Sequence, residues 1–379
     1  MAKCRRRDAG FTLIELMVAM AVTLVIMAAV LSVFKKASDA AFQVSLRAEM
    51  QANARVAINE IVLDLNQAGS GTVGLGAISI PKSPNAVNPL FGCDASGCHL
   101  PGSGATGSNQ FTDGQFYKIA PGYRAGPLVA GSPNNGPTDA ITVTYIDPNL
   151  DATSNPAAGW NKTTVLTIAD DGSSVVVPAN AIPKLTDPQF GIHVGDVLLL
   201  ENSDGQAVGD VTRFNAGSGT IFFDNGDPLQ LNQTGAPSGN IAYSLSDQPH
   251  LSPRTYPQTS IYRLVMVTYY LDDQVVGADG PDSRLMRQVG SQAAVPLAEH
   301  IENLQFWYDL FDPDTNSVTA ALPDAITGAP PTPKPDEIRK VNIRITARSP
   351  RRNRQGTYDR VTFNTAVGPR NLGTHDSFQ

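Results

Sequence analysis

The feature that most constrains this chain is an apolar run over residues 11–34, 24 residues long, in which Glu15 is the single ionisable group. As a helix, at ~1.5 Å per residue, the run reaches about 36 Å, enough to cross a hydrocarbon core of about 30 Å with some tilt. No proline interrupts residues 11–68. After residue 37 the run gives way to an amphipathic pattern, with Phe42, Leu46, Met50, Ala54, Ile58, Ile61 and Leu65 at spacings of three and four, while Arg47, Glu49, Arg55, Glu60 and Asp64 fall on other faces. The pattern predicts one continuous helix, an anchor over 11–35 and an amphipathic half over 36–68, ended by Gly69 and Gly71. Lys3, Arg5, Arg6 and Arg7 precede the span and Lys35 and Lys36 follow it. The heavier basic cluster stays cytoplasmic, which predicts an outward-facing C-terminal domain.

The six residues Gly10-Phe11-Thr12-Leu13-Ile14-Glu15 resemble the class III signal of type IV prepilins. The resemblance implies a leader over residues 1–10, cleavage by prepilin peptidase between Gly10 and Phe11, and N-methylation of Phe11. An ordinary secretory signal is cut after its apolar core, whereas here the anchor stays on the mature chain. Loss of the leader, with its net charge of +3, takes the formal charge from −7 to −10. That acidic balance argues against a nucleic-acid partner. The densest cationic cluster, Arg348, Arg351, Arg352 and Arg354, reads as a solvated loop.

Glu15 carries the sharpest expectation. A carboxylate in an apolar span costs about 2.5–3.5 kcal/mol at the helix centre on insertion scales. Its own helix N-terminus offsets part of that, and the α-amino group of a newly cut Phe11, on the same or a neighbouring subunit, is the cation at that depth. The resemblance implies the same pairing during filament assembly.

Residues 69–137 hold 14 glycines and 8 prolines, a density that favours turns and irregular loops. Short strands are expected over 140–146, 163–168, 174–177, 196–201, 211–214, 220–223 and 241–245, and a second series over 261–271, 284–289, 301–310, 341–347 and 361–367. In the second series Val341, Ile343 and Ile345 alternate with Asn342, Arg344 and Thr346, as a half-buried sheet requires. Residues 311–337 read as a long loop.

The expected fold class is α+β: a long N-terminal helix packed on an antiparallel sheet over 251–379, with Gly/Pro-rich loops and an inserted β-rich subdomain over 69–250. This is the pilin layout. Residues 53–69, 303–308 and 343–349, and the closing Pro369-Arg370-Asn371, further resemble the PilW family of minor pilins. The resemblance implies a subunit that joins other minor pilins and the major pilin, primes pilus assembly and sits near the tip beside an adhesin, after residence in inner-membrane lipid. The J-class pseudopilins of type II secretion share that architecture, and a membrane-anchored surface-binding protein is a reading from a different class.

No enzyme or cofactor signature survives inspection. Cys93 and Cys98, with His99 next to them, lack the Cys-x-x-Cys-His spacing of haem attachment and the fourth ligand of a zinc site. We read them as a disulfide closing a tight loop in an oxidising compartment. Two Gly-x-Gly-x-x-Gly matches, at 69–74 and 102–107, lack the strand-to-helix frame of dinucleotide sites. The acidic run at 312–316 lacks the glycine and glutamate of a calcium loop. His99, His193, His250, His300 and His375 are dispersed. The expectation is a non-enzyme that holds no metal or cofactor.

Overall fold

The computed structural model describes residues 12–71, 78–81, 92–100, 115–130, 132, 136–147, 150, 163–179, 181, 185–188, 191–234, 239–248, 252–277, 280–313, 315–322, 335–353 and 356–372. One helix, Leu13–Gln67, runs without a break for 55 residues, a length of about 80 Å at 1.5 Å per residue. It joins the anchor and the amphipathic half as the sequence predicts. Beyond Ala68 the chain turns at Gly69, whose φ of +74° favours glycine and whose missing Cβ leaves room for the Asn371 carbonyl.

All sheets are antiparallel. The largest is built on the long strand Ser260–Gly277. Val197–Glu201 pairs with its first residues and carries the strand Gln206–Asp210 at the sheet edge. Gly280–Val289 pairs with its second half and is followed by Val295–Glu299. On the other side Ala140–Ile146 pairs with residues 264–269 and carries Ile119–Gly122. A second sheet has the order Ser317–Leu322, Ile301–Asp312, Ile338–Arg348, Arg360–Val367. A third, small sheet joins Arg213–Asn215, Thr220–Phe222, Ser174–Val176 and Thr167–Ile168.

The main apolar cluster lies where the helix crosses both larger sheets. Met50, Ala54, Ala57, Ile61 and Leu65 from the helix pack with Ile141, Val143 and Leu285 of the first sheet and with Leu304, Phe306, Val341, Ile343 and Ile345 of the second. Full burial of one such aliphatic side chain contributes about 1.5–3 kcal/mol, so the helix is held by its last five turns. The expected stripe is used only in part: Phe42 stays 48% exposed and packing becomes complete at Met50. Polar groups lock the sheets together. Asp139 donates its N–H to the Leu304 carbonyl and accepts from the N–H groups of Phe306 and Arg124. At the turn between the sheets His300 contacts Asp282 at 2.7 Å, and Arg348 lies against Asp282 and Glu302.

Several expectations are corrected. Residues 241–245 form a short helix, Ile241–Ser244, because the Asn240 side chain accepts from the Tyr243 N–H and caps it. The loop expected over 311–337 contains the strand Ser317–Leu322. Arg348 is buried over the Tyr358 ring rather than solvated. Asp64 lies on the packed face of the helix, 4% exposed. Strands from both sides of residue 250 share the largest sheet, so that position does not separate one sheet from another.

Candidate assembly site

The N-terminal end of the helix begins at Thr12, an extended N-cap. Glu15 is the third helical residue. Its carboxylate accepts from the Thr12 N–H and the Thr12 hydroxyl, both at 3.0 Å, and the Glu15 N–H donates to the Thr12 hydroxyl oxygen at 3.3 Å. This reciprocal pair is a capping box. The Thr-x-x-Glu spacing that signals it stands in the sequence, but Glu15 was expected to find its partners in the helix dipole and an amine. Two local donors thus reduce the cost of placing the carboxylate in an apolar environment. The expected cleavage pair, Gly10 and Phe11, lies outside the described residues.

From Leu13 to Phe34 the helix exposes every large apolar side chain, from Leu13 at 78% to Phe34 at 71%. The stretch is long and apolar enough to cross a membrane, and none of its most apolar window is buried in the fold. Thr23 and Ser32 return their hydroxyls to the carbonyls of Ala19 and Ala29, so neither polar side chain needs water. The surface is one that must meet lipid or other protein.

At the far end, the helix is fixed to the sheet by a polar pin. Asp64 accepts from the Tyr145 hydroxyl at 3.0 Å, from the Tyr269 hydroxyl, and from Arg287 Nε and Nη2 at 3.2 and 3.1 Å. Burial, followed by the Asp64 charge, pushes both tyrosine hydroxyls far above their ordinary range, so they remain donors. The arrangement fixes helix rotation as well as position, because only one face of the helix presents Asp64 to these three donors.

Cys93 and Cys98 pair in a disulfide that closes a two-strand hairpin. Beside it Asp94 accepts from the Ser96 N–H and hydroxyl and meets His99 Nε2 at 2.9 Å. These contacts hold the Asp94 carboxyl below its usual range, against the effect of burial. Of the dispersed histidines, His193 lies beside Asp196 and His300 beside Asp282, while His250 and His375 lie outside the described residues. Among the described residues, no three metal-ligating side chains come together. Gly69 and Gly71 sit in the turn that follows the helix, the wrong end of a helix for a phosphate site. Asp312 closes a local turn by accepting from the Thr315 hydroxyl.

The model of the prokaryotic N-terminal methylation motif matches residues 5–31. No curated protein and no solved structure matches the chain. The matched segment contains Gly10, Phe11, the Thr12–Glu15 cap and most of the exposed apolar helix. The chain therefore carries the N-terminus of a type IV pilin-like prepilin, a substrate of prepilin peptidase.

Proposed function

We propose that this protein is a minor pilin of the PilW kind: inserted with its N-terminus cytoplasmic, cut between Gly10 and Phe11, methylated on Phe11, and incorporated with other minor pilins into a complex that primes pilus assembly at the tip. Its role in this reading is structural and not catalytic. The observation that carries the reading is the continuity of one helix from the methylation motif to the packed core. The same 55 residues offer a bare apolar surface for membrane and filament and a face buried against two sheets. An anchor of this design transmits its position in a filament directly to the globular part.

The globular portion also supports a terminal position. A chain that sets two large sheets on one helix and carries a further small sheet beyond them is bulky to repeat at every step of a thin filament and easily placed once at its end. Deletion of the gene tests the reading: loss of surface pili and twitching with secretion intact is expected. Intact pili with failed protein secretion would instead assign the chain to the J-class pseudopilins.

A further inference from the structure

The connection between the strands Ile338–Arg348 and Arg360–Val367 is basic on an acidic chain. Residues 348–360 hold five arginines against one acidic residue, Asp359, while the formal charge of the whole chain is −7. Its place along the molecule follows from the helix. Asp359 lies 3.8 Å from Arg47, three residues before Met50, the first buried residue of the helix. Asn371, beyond the far end of the last strand, instead meets Gly69, just past the helix C-terminus. Arg360–Val367 therefore runs in the direction of the helix, and the 348–360 connection stands at the end of the globular part that faces the exposed apolar segment.

The connection prolongs the strand pair as a hairpin toward that segment. The Ser349 N–H donates to the Asp359 carbonyl at 2.8 Å and the Asn353 N–H to the Thr357 carbonyl at 2.7 Å. The Thr357 N–H returns to Asn353 Oδ1 at 3.1 Å, and the Ser349 hydroxyl donates to the Arg351 carbonyl at 2.7 Å. Buried Arg348 lies over the Tyr358 ring at 4.1 Å, and Arg352 over the same ring at 5.2 Å. The hairpin is thus shaped by its own bonds, with Arg351 and Arg352 exposed on it.

Nearby carboxylates are engaged elsewhere. Asp359 meets Arg47 and accepts from Asn353 Nδ2 at 3.1 Å. Glu302 accepts from Arg360 Nε at 2.6 Å, and Asp282 contacts His300 at 2.7 Å and Arg348 at 3.2 Å. Among the described residues, neither Arg351 nor Arg352 forms an ion pair. Adjacent guanidiniums held in place without counter-ions give a local positive field that favours an anionic surface.

A membrane surface is within reach. Arg47 follows Phe34, the end of the apolar run, by 13 residues, or ~20 Å of helix at ~1.5 Å per residue. The headgroup layer takes about 5–8 Å of that distance. From Ser349 to Arg352 the hairpin covers up to ~10 Å at ~3.3 Å per residue, and the arginine side chains supply the remainder. Lys35 and Lys36 stand exposed at the boundary itself. The geometry points to a contact between this hairpin, through Arg351 and Arg352, and the anionic phospholipid headgroups of the leaflet from which the helix emerges. It rests on membrane anchorage by residues 13–34 and on no property of the filament. Each arginine near such a surface strengthens the contact roughly fivefold, enough for two to orient the globular part on the membrane and few enough to release it when the subunit is withdrawn.

The test places the full chain in lipid nanodiscs of phosphatidylcholine, alone or with about one-third phosphatidylglycerol, and follows amide hydrogen exchange by mass spectrometry. Exchange over residues 349–357 is expected to be at least fivefold slower in the discs that contain phosphatidylglycerol, and the difference is expected to vanish in 1 M salt, where charges are screened within about 3 Å. Arg351→Gln combined with Arg352→Gln is expected to remove the lipid dependence while exchange over Ile338–Arg348 stays as in the wild type, the sign of a folded chain. Equal exchange of the wild-type hairpin in the two discs would overturn the inference without recourse to the variant, and so would lipid-dependent protection that persists in the folded double variant. A chain that fails to co-elute with the discs would overturn the anchorage and this contact with it; one that co-elutes without lipid-dependent protection overturns the contact alone.

Discussion

At the scale of single residues, three carboxylates illustrate three ways in which a charge is tolerated in an apolar setting. Glu15 is held by the cap of its own helix. Glu15→Ala is expected to leave membrane insertion and cleavage intact while lowering recovery of the subunit in sheared pili, checked by immunoblot; undiminished recovery would refute an assembly role. Asp64 is held by two tyrosines and an arginine. Its removal leaves a largely buried guanidinium without its counter-ion, so Asp64→Ala should lose about 3–5 kcal/mol in chemical denaturation. Asp210 has no cation or tyrosine beside it: burial, with the nearby Asp227 and Asp196 and against the contact of Ser291, pushes its carboxyl up to about 7. Because this lies above the unfolded value of about 3.9, the folded chain holds a proton that the unfolded chain has released between those pH values. Stability therefore falls as pH rises from about 4 to 7. Asp210→Asn should reduce that slope, the rest being carried by Asp196 and Asp227, which burial also raises, and gain on the order of 4 kcal/mol at pH 8, read from denaturation midpoints at pH 4.5 and 8. None of Asp64's role is visible in the sequence, since Arg287 lies 223 residues away, and nothing in a helical stripe marks one carboxylate as facing inward.

At the scale of elements, legibility follows the strength of local pattern. The strand Ala140–Ile146 is legible from its almost unbroken run of β-branched residues, and Ile338–Arg348 from Val341, Ile343 and Ile345 repeating with period two. The strand Gln206–Asp210 is absent from the expected strands, its adjacent Ala207 and Val208 followed by Gly209 offering no period-two alternation; Gly209 is required where the Phe223 ring packs against its backbone. Ser317–Leu322 was missed because its first five residues are exposed and only Leu322 is half-buried, which leaves no buried face to set an alternation. Residues 241–245 form a helix against expectation because five residues, Ser244 among them, are too few to show a period, and the Asn240 cap decides it. The helix is the most legible element, and its packed half sets its anchorage. Ile61→Ala, at a fully buried position in the main cluster, should destabilise the fold by about 2–5 kcal/mol, measured by urea denaturation in micelles. The same change at exposed Leu63 should be near neutral for folding.

At the scale of the whole molecule, a single helix serves two environments. Its first half has no partner within the fold and its second half lies in the largest apolar cluster, so removal from the membrane and docking into a filament need not disturb the globular part. The Asp64 pin fixes helix rotation relative to the sheets. Any orientation that packing imposes on residues 13–34 in a filament is thereby passed to the sheets and to the edge strand Ser317–Leu322. The two-sheet arrangement itself was not legible, because it depends on long-range groups such as Asp139 and Arg348 that join strands distant in sequence. The central claim, that this chain is a processed pilin-like subunit, is tested most directly by mass spectrometry of its N-terminal peptide from the host membrane. The account predicts a mature chain that begins at N-methylated Phe11; a chain that retains residues 1–10, or begins at any other position, would contradict it.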